Sequence, residues 1–189
     1  ITGYPRAIEP SVIETERAVA QVHAIAAAFG PRSVVWRYDP ILLTSLTDAD
    51  WQRANFERLA KAIGGASDEV VLSFADFYAK TRRNLARAGE AHGFAWRQPA
   101  FDQQRELLDD LAEIALANGL AATLCVEPEL IRDDIAAARC IDAIRLSDVA
   151  GRQISARAKG NRPDCACAES RDIGAYDSCM QGCVYCYAV

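Results

Sequence analysis

Val70-Val71-Leu72-Ser73-Phe74 is a short apolar run set between two segments of helical periodicity, and it reads as a strand. Before it, Thr47 with Asp50 resembles a capping box opening a helix that buries Phe56, Leu59, Ala60 and Ile63 and stops at Gly64-Gly65. After it, residues 76–88 read as a helix, basic on one face, and residues 89–100 as a connecting loop. The same alternation extends in both directions. Ile1-Thr2-Gly3-Tyr4 reads as the end of a strand stopped by Pro5, and Ser33-Val34-Val35-Trp36-Arg37 as a strand running into Tyr38-Asp39-Pro40. Ala121–Val126 reads as another. Between them, residues 14–29 place Ala18, Val19, Val22, Ile25, Ala26 and Phe29 on one helical face, closed by Gly30-Pro31. Residues 102–118 carry a stripe of Leu107, Leu108, Leu111, Ile114 and Ala115 and stop at Gly119. Strands starting near 1, 33, 69 and 121, separated by amphipathic helices, predict βαβ units and a parallel sheet. Right-handed crossovers then leave a doubly wound sheet or a (β/α) barrel.

The chain has 189 residues, 51% hydrophobic and 25% charged, which suits one globular domain and excludes a disordered, collagenous or fibrous chain. No stretch approaches the roughly 20 apolar residues that span a bilayer, and no basic-then-apolar leader is present, so a cytoplasmic protein without a membrane partner is expected. Ile1 stands where a Met would be expected and opens directly into a strand pattern, so the numbered chain reads as a fragment. Its 21 Lys and Arg against 26 Asp and Glu give a charge of −5. Residues 151–189 carry +1 of this (Arg152, Arg157, Lys159, Arg162 and Arg171 against Asp164, Glu169, Asp172 and Asp177), leaving −6 for residues 1–150. The overall acidity weakens a nucleic-acid reading.

In either α/β architecture the site lies at the carboxyl ends of the strands. Those ends carry Tyr4, Arg37, Asp39, Ser73, Asp76 and Glu127. Arg37, Asp39, Asp76 and Glu127 are expected to face cofactor or substrate. Arg37 is suited to a carboxylate or phosphate, with an internal salt bridge to Asp39 as the alternative. Classical catalysis finds little support: only His23 and His92 are present, His23 is expected to be exposed, and neither a G-x-S-x-G elbow nor a P-loop occurs.

Seven cysteines carry the most information: Cys125, Cys140, Cys165, Cys167, Cys179, Cys183 and Cys186. Five fall in the last 25 residues, and an odd number without an export signal fits a disulfide framework poorly, so metal is expected. Cys125 reads as a buried strand residue. The ending Cys179-Met180-Gln181-Gly182-Cys183-Val184-Tyr185-Cys186-Tyr187 spaces three thiols C-x3-C-x2-C. Such a loop wraps one [4Fe–4S] cluster, each thiolate on one iron with the fourth iron open, and Gly182 supplies the backbone freedom for the turn. The alternative is zinc on four of the tail thiolates, but only Cys183 and Cys186 have knuckle spacing.

The same loop matches, at Cys179, Cys183, Tyr185 and Cys186, the motif of the radical S-adenosylmethionine enzymes, C-x3-C-x-aromatic-C. That resemblance implies S-adenosylmethionine on the open iron, Tyr185 beside its adenine, an external electron donor, and a 5′-deoxyadenosyl radical that takes hydrogen from a substrate. Together with Trp36-Arg37-Tyr38-Asp39-Pro40-Ile41-Leu42, Cys140-Ile141-Asp142 and Asp172-Ile173-Gly174-Ala175-Tyr176, the tail resembles a bacterial family, domain of unknown function 1848. Its members resemble radical S-adenosylmethionine proteins of the spore photoproduct lyase and DNA repair photolyase type. The resemblance covers nearly the whole chain. It implies a partial (β/α) TIM-type barrel over residues 1–150 that lacks N-terminal β/α units, followed by an iron–sulfur-binding tail over 151–189. In most radical S-adenosylmethionine enzymes the cysteine loop follows the first barrel strand. Here it closes the chain, so the tail is expected to fold over the barrel mouth. The competing readings are a non-catalytic module whose tail binds zinc or a cluster, and a repair-related nucleic-acid-binding protein that uses the basic residues of 152–171.

Overall fold

The structure, a computed structural model, describes the whole chain except Asn161, Arg162, Asp172, Tyr176, Asp177 and Val189. Asp172 and Tyr176 of the family motif, and Arg162 and Asp177 of the tail's charge count, therefore lie outside the described residues. Among the described residues the architecture is mixed α/β. In chain order it runs α1 (Thr15–Phe29), β1 (Trp36–Ile41), α2 (Ala49–Ile63), β2 (Glu69–Phe74), α3 (Ala79–His92), α4 (Phe101–Ala117), β3 (Ala121–Leu124), β4 (Ala136–Ala137) and α5 (Ala143–Ala150). The strands form one parallel sheet in the order β1-β2-β3-β4.

Alternation along the strands sends Trp36, Tyr38, Val70, Leu72 and Leu124 to one face, where α2 and α4 cover them with Phe56, Leu59, Ala60, Ile63, Leu107, Leu108, Leu111 and Ala115. Phe56 stacks on Trp36 with centroids 4.8 Å apart and meets Tyr38 edge-on at 5.0 Å. The predicted core of these two helices is thus the observed one. The opposite face carries Arg37, Asp39, Val71, Ser73 and Cys125, an unusually polar set for a sheet interior.

Several boundaries differ from expectation for identifiable reasons. Residues 1–4 form no strand; they are tied to the sheet edge by Trp36 Nε1 donating to Ile1 O (2.8 Å), Asn55 Nδ2 to Thr2 O (2.8 Å) and Tyr4 Oη to Pro40 O (2.9 Å). The second strand begins at Trp36 because Pro31–Ser33 is a 3₁₀ turn. Asp48, not Thr47, caps α2, accepting from Trp51 N at 2.9 Å, while Thr47 is buried and donates to Leu42 O. Helix α3 runs through Gly89 to His92, so the loop expected over 89–100 loses its first four residues. Gly89 does not break the helix; it lets Phe94 pack close, since a Cβ there would sit 2.5 Å from Phe94 O. The strand expected over 121–126 ends at Leu124, two residues before Val126, which holds a left-handed φ of 55°. Helix α5, capped by Asp142, was hidden because it buries nothing: Ile144, Leu146 and Val149 are exposed. Helix α1 likewise lies at the edge, with Phe29 exposed.

Candidate functional site

Two polar groups flank the carboxyl end of β1. The first lies on the sheet face not covered by α2 and α4. Arg37 Nε donates to Asp39 Oδ2 at 3.1 Å, a second guanidinium nitrogen pairs with the same oxygen, and Ser73 Oγ donates to Asp39 Oδ1. Parallel register explains the meeting, because Arg37 stands opposite Val71 and Asp39 falls beside Ser73. Arg37 Nη1 also donates to Cys140 Sγ at 2.6 Å, and Cys140 hydrogen-bonds Cys125. That bond, followed by burial, pushes the Cys140 thiol well above its ordinary value, with Arg37 opposing the shift. The internal Arg37–Asp39 salt bridge anticipated as the alternative reading is therefore present. Cys125 is buried, as expected for a strand residue. Glu127 Oε1 accepts from Phe74 N at 2.8 Å and so holds the end of β2.

The second group is the C-terminal cysteine loop. Val184 and Tyr185 pack into a hydrophobic cluster of Tyr4, Ile8, Leu42 and Leu85, joined by Trp51, Ala75, Phe77 and Trp96. Leu42 follows β1, and Ala75 and Phe77 follow β2, so the loop rests at the carboxyl end of the sheet. Backbone bonds stitch it to the N-terminal segment, Ser11 N to Gln181 O at 3.1 Å and Val184 N to Ile8 O at 3.0 Å. Helix α3 supports the other side, where Thr81 Oγ1 donates to Tyr185 O (3.4 Å) and Asn84 Nδ2 to Cys186 O (3.5 Å). Gly182 turns the loop with a φ of +68°, a conformation that side chains resist.

Cys179 is exposed, whereas Cys183 and Cys186 are half-buried. Cys186 N closes a tight turn on Cys183 O at 3.0 Å, and Ala188 N donates to Cys186 Sγ at 3.3 Å. Burial pushes the Cys183 thiol up, its hydrogen bond with Tyr185 opposes the shift, and the nearby Glu9, Cys186 and Cys179 add to it. The Tyr185 hydroxyl donates to the Glu9 carboxylate and also hydrogen-bonds Cys183. Glu9, only 3% exposed, accepts in addition from Thr2 Oγ1 at 2.5 Å. Glu9 gave no signal in the sequence; its position becomes significant only once the tail returns to it. Both polar groups influence Tyr4, which feels Glu9 on one side and Asp39 on the other and whose phenol burial pushes far up.

Three thiols on one short loop suit an iron–sulfur cluster, and the amide directed at Cys186 Sγ suits a thiolate. Among the described residues no three His, Cys, Asp or Glu side chains are gathered so as to hold a metal ion. Cys167 is buried and Cys165 half-buried in a separate hairpin, where Ala158 bridges Ala168. His23 is exposed, its Nε2 on Ala62 O at 2.8 Å.

Fold and site together define an α/β protein with a parallel sheet and a cysteine-bearing loop laid across its carboxyl edge. The chain belongs to the family described as Domain of unknown function (DUF1848), whose model matches residues 1–188. No curated protein and no solved structure matches the chain. No helix among the described residues is long and apolar enough to cross a membrane.

Proposed function

We propose that this chain is a radical S-adenosylmethionine-like [4Fe–4S] protein, part of a (β/α) barrel that works in a reducing cytoplasm. The observation that carries the reading is the position of the Cys179-x3-Cys183-x2-Cys186 loop at the carboxyl edge of β1 and β2. In parallel α/β folds this edge is where ligands bind. A [4Fe–4S] cluster held by these three thiolates, with S-adenosylmethionine and an external electron donor, would supply one-electron cleavage of the sulfonium S–C5′ bond, giving methionine and a 5′-deoxyadenosyl radical.

The chain's own residues do the positioning. Cys179, Cys183 and Cys186 are the iron ligands, and Gly182 sets the reversal between the first two. Val184 and Tyr185 anchor the loop in the apolar cluster under it, which keeps water from that side. Glu9 holds the Tyr185 hydroxyl and thereby the ring. The amide of Ala188 donates to Cys186 Sγ and fixes its orientation. Arg37, Asp39 and Ser73 form a preorganised polar group on the sheet face opposite α2 and α4, where Arg37 is the part open to solvent and suited to a polar part of cofactor or substrate, with Glu127 fixing the strand end beside it.

Anaerobic reconstitution with ferrous iron and sulfide tests the reading. It should give about four irons per chain and, with dithionite and S-adenosylmethionine, 5′-deoxyadenosine. Stoichiometric zinc with no iron, or a Cys183→Ala variant that keeps a full cluster, would overturn it.

A further inference from the structure

Cys125 and Cys140 stand fifteen residues apart in the chain, so no cysteine-pair spacing announces them. Parallel pairing of β3 with β4 brings them together: Leu124 stands opposite Ala137, Cys125 packs against Ala138, and Cys140 follows two residues later. Backbone bonds hold both sides of the junction, Cys125 N donating to Leu72 O at 2.9 Å and Ala138 N to Leu124 O at 2.8 Å. The chain turns immediately after Cys125, at Val126, whose φ of 55° is one that a β-branched residue resists. The outcome is a sulfur–sulfur hydrogen bond at the carboxyl end of β3, between the buried thiol of Cys125 and the exposed residue Cys140. Arg37 Nη1 donates to the Cys140 sulfur at 2.6 Å.

The surroundings select among ions. The carboxylates of the neighbouring segments are engaged elsewhere: Asp39 by Arg37 and Ser73, Glu127 by Phe74 N, and Asp142 by Ile144 N. The hairpin that carries Cys165 and Cys167 reaches the segment after Cys140, where Ala168 N donates to Ile141 O at 2.8 Å. It adds no thiol to the pair, since among the described residues no three His, Cys, Asp or Glu side chains gather to hold an ion. Zinc takes three or four protein ligands, and hard cations take oxygens. Two sulfurs alone suit a soft monovalent ion, copper(I), which is satisfied by a pair of thiolates on opposite sides. The proton between the sulfurs marks the line on which that ion would lie. Cys140 offers the approach from solvent, Cys125 the buried seat, and the Arg37 N–H an outer-shell bond that orients a ligand.

We infer that Cys125 and Cys140 form a two-sulfur site for copper(I), with Arg37 as the donor that positions Cys140. The ion enters and stays monovalent and the thiol protons pass to solvent, so no oxidant or reductant is consumed. The site stands on the strand thiols and does not depend on the reading of the C-terminal loop.

The test uses the full chain carrying Cys179→Ser/Cys183→Ser/Cys186→Ser, which silences the loop thiols. It is reduced and titrated anaerobically with copper(I) in competition with the chelator bathocuproine disulfonate. One copper per chain should be retained, and X-ray absorption at the copper edge should show two sulfur neighbours. Cys140→Ser, at an exposed position, should weaken binding by more than about 100-fold, beyond the cost of losing an outer-shell partner. Arg37→Gln should weaken it by about tenfold. Cys165→Ser/Cys167→Ser should keep the affinity of the parent. With the pair itself unsubstituted, bound copper should block labelling of Cys140 by N-ethylmaleimide under conditions that label it in the metal-free chain. No copper retained, three or four sulfurs around the ion, unchanged affinity in Cys140→Ser, loss in Cys165→Ser/Cys167→Ser, or zinc held in preference to copper would each overturn the inference. Iron uptake by the unsubstituted chain reports on the loop separately, so either reading can fail while the other stands.

Discussion

The Tyr185 hydroxyl donates to the Glu9 carboxylate across 176 residues of chain, joining the cysteine loop to the first turn of the molecule. Glu9 also accepts from Thr2, so a single buried carboxylate organises both the N-terminal segment and the loop. Glu9→Ala should therefore cost about 1.5–3 kcal/mol in urea unfolding, the worth of hydrogen bonds to a charged group. It should also lower the iron retained after reconstitution. Full stability together with full iron loading would contradict the assignment.

Gly89→Ala reverses the usual sign of a helix substitution. Replacing glycine by alanine inside a helix ordinarily stabilises by about 0.5–1 kcal/mol. Here the added Cβ would lie 2.5 Å from Phe94 O, so the helix end and the turn after it must shift. A loss of about 1–3 kcal/mol is expected, within the range for overpacking, read as a lower melting temperature. A stabilised variant would show that Phe94 does not pack as described.

Alkaline pH should unfold the protein through Tyr4 and Tyr38. Burial raises both phenols above the ordinary value of about 10 in the folded state. Below that value both states hold the proton and stability is flat. Above it the unfolded chain releases protons that the folded one keeps, so stability falls by about 1.4 kcal/mol per pH unit for each tyrosine. Denaturant titrations between pH 9 and 12 should show this slope, with the late phenolate absorbance appearing together with unfolding. A flat profile would mean that the two phenols are hydrated.

Cysteine reactivity should rank by surroundings rather than by residue exposure alone. Cys140 and Cys179 are both exposed, but the hydrogen bond to Cys125, followed by burial, keeps the Cys140 thiol protonated. In the metal-free protein at pH 8, mass spectrometry after brief iodoacetamide treatment should find Cys179 alkylated well before Cys140. Equal rates would remove the Cys125–Cys140 contact.

Much of this architecture is legible in the chain itself. The apolar runs at Trp36, Val70 and Ala121 and the stripes Phe56–Ile63 and Leu107–Ala115 specify parallel strands under two helices. Burial of that face is a local, periodic property, and it came out as read. The failures share one cause. Residues 1–4, β4 and α5 have little apolar pattern of their own and are placed by single polar contacts such as Trp36 Nε1 on Ile1 O and Arg145 on Asp68 and Glu69. The helix expected over 76–88 continues to His92, and the reason a glycine stands at 89, the carbonyl of Phe94, lies outside the helix.

The site divides in the same way. The spacing of Cys179, Cys183 and Cys186 and the turn at Gly182 are fixed by the order of residues, since neighbouring thiols on one loop need no distant partner to be recognised. Where that loop lies, that Glu9 holds its tyrosine, that Asp39 meets Ser73, and that Thr81 and Asn84 of α3 support it were decided only by tertiary structure. These are meetings between segments far apart in the chain, and they form because the long-range burial of Tyr4, Leu42, Leu85 and Tyr185 outweighs the entropy of bringing the two ends together.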